Sequence, residues 1–167
     1  MKSIRRISTI CFTLIILLIS CEKPDVTEDS RLLNELYSNS FDTVFIQDSQ
    51  YRLETELYRD FFPSGMLPRK TPLIVYLSLI RLDSLSISDN IDISKLYVIN
   101  DQLIWISNPR NVAQPIIPVD YILNKVRNDG PKWPTDIYVD VVARIVDSKD
   151  KSEYLLIARY QRIKRVE

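Results

Sequence analysis

From Phe41 to the C-terminus the apolar residues of this chain recur at every second position, run after run, with turn-forming residues between the runs. A period of two puts alternate side chains on opposite faces of an extended strand, so each run reads as a strand with one dry side and one wet side. Tyr51 to Asp60 is an example: Tyr51, Leu53 and Leu57 share one side, and Arg52, Glu54, Glu56 and Asp60 the other. Ile137 to Val146 and Glu153 to Ile163 make the clearest pair, with a turn within Ser148 to Lys151. About seven such runs, and almost no long helical pattern, predict an all-β chain folded as an antiparallel β-sandwich of about seven strands.

The last hairpin can be read pair by pair. A loop of two or four residues gives the same register. Val139 then meets Tyr160, Val141 meets Ala158, Ala143 meets Leu156 and Ile145 meets Tyr154, an apolar set that must face the core. The opposite face sets Asp140 beside Arg159, Val142 beside Ile157 and Arg144 beside Leu155. Three aliphatics among charges, Val142, Leu155 and Ile157, are more than a wholly solvated face needs. Either a further element covers them or they form a partner surface.

Elsewhere the pattern leaves choices open. A two-residue turn before Tyr51 sets Val44 and Ile46 beside Leu53 and Tyr51, whereas a three-residue loop sets Phe41 and Phe45 beside Leu57 and Leu53. Asn100-Asp101 reads as a two-residue hairpin turn that pairs Leu96 with Trp105 and Val98 with Leu103. Leu73 to Leu82 is nearly continuous in apolar residues and predicts a central strand. Residues 108–120 hold Pro109, Pro115 and Pro118 and predict no central strand. Residues 121–128 suit a helix face or a strand.

The N-terminus has a different character. Lys2, Arg5 and Arg6 precede an apolar run from Ile7 to Ile19, too short for a membrane span and right for a signal-peptide core. It ends in Leu18-Ile19-Ser20-Cys21. This resembles the lipobox of bacterial envelope lipoproteins. The resemblance implies removal of residues 1–20, acyl chains such as palmitate on Cys21, and membrane attachment through them. Glu22 stands where enterobacterial members of that family carry an inner-membrane retention aspartate, which implies the outer membrane, on its periplasmic or cell-surface side. Residues 21–40 then form a lipidated tether with a short helix, and residues 41–167 the β-sandwich domain. Within the tether, 22–28 reads as a linker. Asp29 is a suitable N-cap for a helix to Ser38 that aligns Leu32, Leu33, Leu36 and Tyr37. Ten residues are marginal alone, so this helix must pack on something. One economical placement is across Val142, Leu155 and Ile157. The length of the mature chain, with Trp133 and Tyr138 late in it, resembles an immunoglobulin-like domain, though the family's inter-sheet cysteine pair is missing.

Composition narrows the chemistry. There is no histidine, the only cysteines are Cys11 and Cys21, and the only glycines are Gly65 and Gly130. Imidazole catalysis, a zinc knuckle, a disulfide framework and a Gly-rich phosphate loop therefore have no residues to build them. No cofactor or metal is expected. Taking the leader's three basic residues from 22 leaves 19 against 22 acidic ones, a net charge of −3, without the footprint of a nucleic-acid binder. Glu54 and Glu56 share one strand face at a spacing that a carboxylate hydrolase could use, but a solvated face flanked by Arg52 and Arg59 is the simpler expectation. Asp140 is expected to pair with Arg159. Trp133, between Pro131 and Pro134, is a candidate for a binding loop or a plug at the end of the domain. Phe61 to Met66 is a candidate docking connector. Together these features predict a lipid-anchored, non-catalytic binding or structural module with a protein or glycan partner, with an inhibitor or accessory subunit as the rival reading and a carboxylate hydrolase behind both.

Overall fold

A computed structural model describes residues 24–62, 71–112 and 119–167. Residues 1–23, with the expected leader and Cys21, Gly65, Met66 and the rest of 63–70, and residues 113–118 lie outside the described residues. In chain order the elements are β1 (Asp25–Glu28), α1 (Ser30–Asn39), β2 (Ser40–Phe41), β3 (Thr43–Ile46), β4 (Ser49–Asp60), β5 (Leu73–Arg81), β6 (Ile91–Asn100), β7 (Leu103–Ser107), β8 (Arg110–Asn111), β9 (Ile122–Gly130), β10 (Tyr138–Asp147) and β11 (Ser152–Val166). The described residues are mostly β, as the alternation predicts, with one short helix among them.

The strands join into one open, curled sheet in the order β1-β7-β6-β10-β11-β4-β5-β9-β8, with β2 added to β11 and β3 to β4. The described residues thus hold eleven strands where about seven were expected, and two pairings, β11 with β2 and β11 with β4, are parallel. Strand β11 makes the curl possible. Its first half pairs with β10, and Ile163 to Val166 pair with Leu57 to Asp60 of β4. Between the halves Tyr160 takes a positive φ of 54° and one residue is added opposite Asp140, a bulge of the kind that bends a strand. Val139 therefore meets Gln161, not Tyr160, and Tyr160 points to solvent. The other expected pairs, Val141–Ala158, Ala143–Leu156 and Ile145–Tyr154, are all present.

The two halves of the curl face each other over one core. Leu96, Val98, Trp105, Val141, Ala143 and Leu156 come from one half, and Val44, Ile46, Tyr51, Leu53, Leu57 and the odd positions of β5 from the other. Trp105 lies so near Gly130 that a Cβ there would stand 2.8 Å from its ring and 2.8 Å from the Cβ of Leu73. Glycine is required at this point for close approach. Strand β5 is central between β4 and β9, and of residues 121–128 all but Tyr121 belong to strand β9.

Register settles the open hairpins. Val44 pairs with Tyr51 and Ile46 with Ser49 around a two-residue turn, Gln47-Asp48, with φ of 49° and 64°, two residues from the expected pairs Val44–Leu53 and Ile46–Tyr51 but on the same faces. Two consecutive positive φ values are the mark of a type I′ turn. Val44 and Ile46 go to the core, while Phe41 and Phe45 stay outside. In the β6–β7 hairpin the turn is Asp101-Gln102, with Asp101 at φ 55°, so Val98 meets Trp105 and Leu96 meets Ser107. That is two residues from the expected register, which leaves every side chain on its expected face.

Helix α1 begins where Asp29 accepts hydrogen bonds from the N–H groups of Arg31 and Leu32, each at 3.0 Å. It lies on the outer face of the first half-sheet. Leu36 packs there with Tyr97, Ile99, Ile104, Val142 and Ile157, and Leu32, Leu33, Tyr37 and Leu155 border this second cluster. Residues 25–28, expected as linker, instead pair with β7 from Asp25–Ile106 to Glu28–Leu103.

Candidate functional site

The residues singled out by the sequence lie far apart in the fold. Val142 and Ile157 are buried beneath α1 and Leu155 is half-buried at its border, so these three do not form an open partner surface. Ten residues of amphipathic helix need an apolar bed, and these side chains supply it. Trp133 is half-buried against the main core, and its carbonyl accepts a 2.7 Å hydrogen bond from Arg59. It lies in the connection between β9 and β10 and packs against the core instead of standing free. Cys21 lies outside the described residues.

The carboxylates are held by cations. Glu54 accepts from Arg52 at 2.5 Å and Glu56 from Lys164 at 2.9 Å, and both are exposed. Arg59 does not flank them. It is buried on the core side of β4, where its Nε donates to the Thr71 carbonyl at 2.9 Å, and burial lowers its pKa. Asp140 does not pair with Arg159. One of its oxygens accepts from the Tyr37 hydroxyl at 2.8 Å and the other from the Tyr160 N–H at 2.8 Å, so one carboxylate ties α1 to the bulge of β11. Arg159 lies instead over the Tyr37 ring, 5.6 Å from its centre. Burial first, and then the Asp140 hydrogen bond, push the Tyr37 hydroxyl up to about 12.

Two concave regions stand out. One, about 600 Å³, lies between the start of β6 and β9, where Lys125 bridges to Asp92 at 2.6 Å. The bridge joins the two half-sheets across their open side. Asp147, buried at the end of β10, does similar work: burial alone would raise its pKa, but donors from Lys149 N–H, Asn90 and Gln47 outweigh that and hold it below the usual carboxylate range.

The other region is a groove of about 440 Å³ between the end of α1, β3 and the β10–β11 hairpin. Its apolar lining comes from Phe41, Phe45, Val44, Tyr154 and Leu155, and its charges from Glu35, Arg144 and Glu153. Phe41 is 60% exposed and Phe45 68%, which is rare for adjacent phenylalanines unless the surface is used. Arg144 reaches Glu153 at 3.2 Å and donates to the Tyr97 hydroxyl at 3.0 Å, while Glu35 makes no ion pair among the described residues. The sequence pattern could not single out these phenylalanines, because the alternative hairpin register would have put them in the core.

Among the described residues no cluster of carboxylates or cysteines is arranged to hold a metal ion, and no described helix is long and apolar enough to cross a membrane. No protein-family model, curated protein or solved structure matches the chain.

Proposed function

We propose that this chain is a lipid-anchored protein of the cell envelope, attached to the outer membrane through acyl chains on Cys21, and that it acts by binding a partner and not by catalysis. The observation that carries the binding role is the groove with Phe41 and Phe45 exposed on its wall. An apolar wall with a charged rim suits a protein segment better than a glycan. Glu54 and Glu56, exposed and each held by a cation, lack the burial that raises the pKa of a general acid. The architecture supports a sandwich-like reading at the level of two half-sheets over one core. The short apolar leader and Leu18-Ile19-Ser20-Cys21 support the anchor.

The anchor has a direct test. Wild-type protein in its native host should take up labelled palmitate and fractionate with membrane, and Cys21→Ala should lose the label. A Cys21→Ala protein that still incorporates palmitate removes the lipoprotein reading, whatever becomes of the groove.

A further inference from the structure

We propose that the groove receives an extended segment of a partner protein, which adds as a strand to the free edge of β3 and sets an apolar side chain against Phe45 and Leu155. This rests on the groove being a docking surface and says what docks there.

The argument begins with the turn. In a two-residue hairpin the pair flanking the turn exchanges both backbone hydrogen bonds, and hydrogen-bonded pairs then alternate along the ladder. Here the flanking pair is Ile46–Ser49, so Val44–Tyr51 is the next bonded pair. Thr43 and Phe45 occupy the intervening positions, and their N–H and C=O groups point away from β4. Among the described residues strand β3 pairs with β4 alone, and Thr43, Val44 and Phe45 all line the groove. An unpaired strand edge therefore runs along an apolar trench.

Folded chains usually blunt such edges with prolines, charges or shortness. The terminal strands of this sheet follow that practice. Strand β1 follows Pro24 and carries Asp25 and Glu28, and β8 has two residues and follows Pro109. Strand β3, Thr43-Val44-Phe45-Ile46, has no charge, no proline and no bulge. An edge left open beside exposed phenylalanines fits strand addition, in which backbone bonds supply affinity and side-chain pockets supply choice. The rim selects further. Among the described residues Glu35 has no ion pair and Glu153 shares Arg144, so a partner segment with a lysine or arginine next to its apolar residues complements the groove.

The test uses the full chain purified in detergent and a displayed library of random peptides about eight residues long, the length of a strand with margins. Selected peptides should alternate apolar residues and carry a lysine or arginine. When they bind, amide exchange should slow by about tenfold or more at Thr43 and Phe45 and stay unchanged at Val44 and Ile46, which β4 already protects. Phe45→Pro removes an N–H that the β4 ladder does not use, so it should abolish binding while the hairpin persists. Phe45→Leu, which keeps the amide, should retain it. Peptides that lose binding in Phe41→Ser yet leave exchange at Thr43 and Phe45 unchanged would overturn strand addition and leave the docking surface standing. A selection with no groove-dependent peptide would overturn both.

Discussion

Asp140 shows how much one side chain can organise. It sits mid-strand among apolar residues, where an unpaired carboxylate would be costly, and both its oxygens are used. One bond fixes the bulge that turns β11 from one half-sheet to the other, and the second holds the helix that covers the outer face. The raised pKa of Tyr37 makes the second bond measurable. A hydroxyl that ionises near 10 in the unfolded chain and at about 12 in the folded one keeps its proton more tightly when folded. Its contribution is whole below pH 10 and is lost as pH rises from there through 12. Tyr37→Phe should cost about 1 kcal/mol near neutral pH, the usual worth of one hydrogen bond. It should also flatten the fall of stability across that alkaline window. Chemical denaturation at a series of pH values tests both, and an alkaline fall as steep in Tyr37→Phe as in wild type would detach Tyr37 from it.

At the scale of elements, what the sequence made legible depended on whether an error could be seen. The β6–β7 hairpin lies two residues from its expected register and no face changes, because the pleat has a period of two. The burial of Leu96, Val98 and Trp105 was therefore readable while the turn was not. What chose the turn was which residue could take a positive φ, and Asp101 took it. Strand β1 was illegible because Asp25-Val26-Thr27-Glu28 has one apolar side chain and gains its order from the β7 edge. The groove was illegible for the opposite reason: two apolar sets in β2 and β3 competed for the core, and only tertiary packing decided between them. The β3–β4 turn also carries a cost that can be relieved. Gln47 has a use for its left-handed backbone, since its amide donates to buried Asp147 at 2.5 Å. Asp48, at φ 64°, makes no side-chain hydrogen bond of its own among the described residues. Asp48→Gly should then stabilise the protein by about 0.5–1 kcal/mol, since glycine accepts positive φ without strain. A lower denaturation midpoint would show that Asp48 does something the backbone does not reveal.

The whole molecule is a curled sheet with a belt. The chain enters along the β7 edge as β1, crosses the outer face of the first half-sheet as α1, and reaches β11 as β2. This path spans the strands in the order β1, β7, β6, β10, β11, four steps of about 4.8 Å, so β1 and β11 lie about 19 Å apart across the sheet. On the proposed attachment at Cys21, docking of β1 from Asp25 leaves Glu22 to Pro24 as linker, with a reach of about 10 Å where the seven residues 22–28 would reach about 25 Å. Strap and helix then divide the work in a way that two truncations separate. A chain starting at Asp29 loses β1 but keeps the residue that caps α1, so the β7 edge opens and the helix bed stays covered. A chain starting at Phe41 also loses Leu36, and bares Tyr97, Ile99, Ile104, Val142 and Ile157. Removing Leu36 alone is the loss of a fully buried leucine, about 2–5 kcal/mol. The second truncation should therefore be less stable than the first by at least that much and should bind a hydrophobic dye strongly, while the first binds it little more than the intact chain. If the two truncations denature together with equal dye binding, the helix adds nothing to the sheet beneath it. The apolar face formed by Val142 and Ile157 would then have to be counted again as open surface.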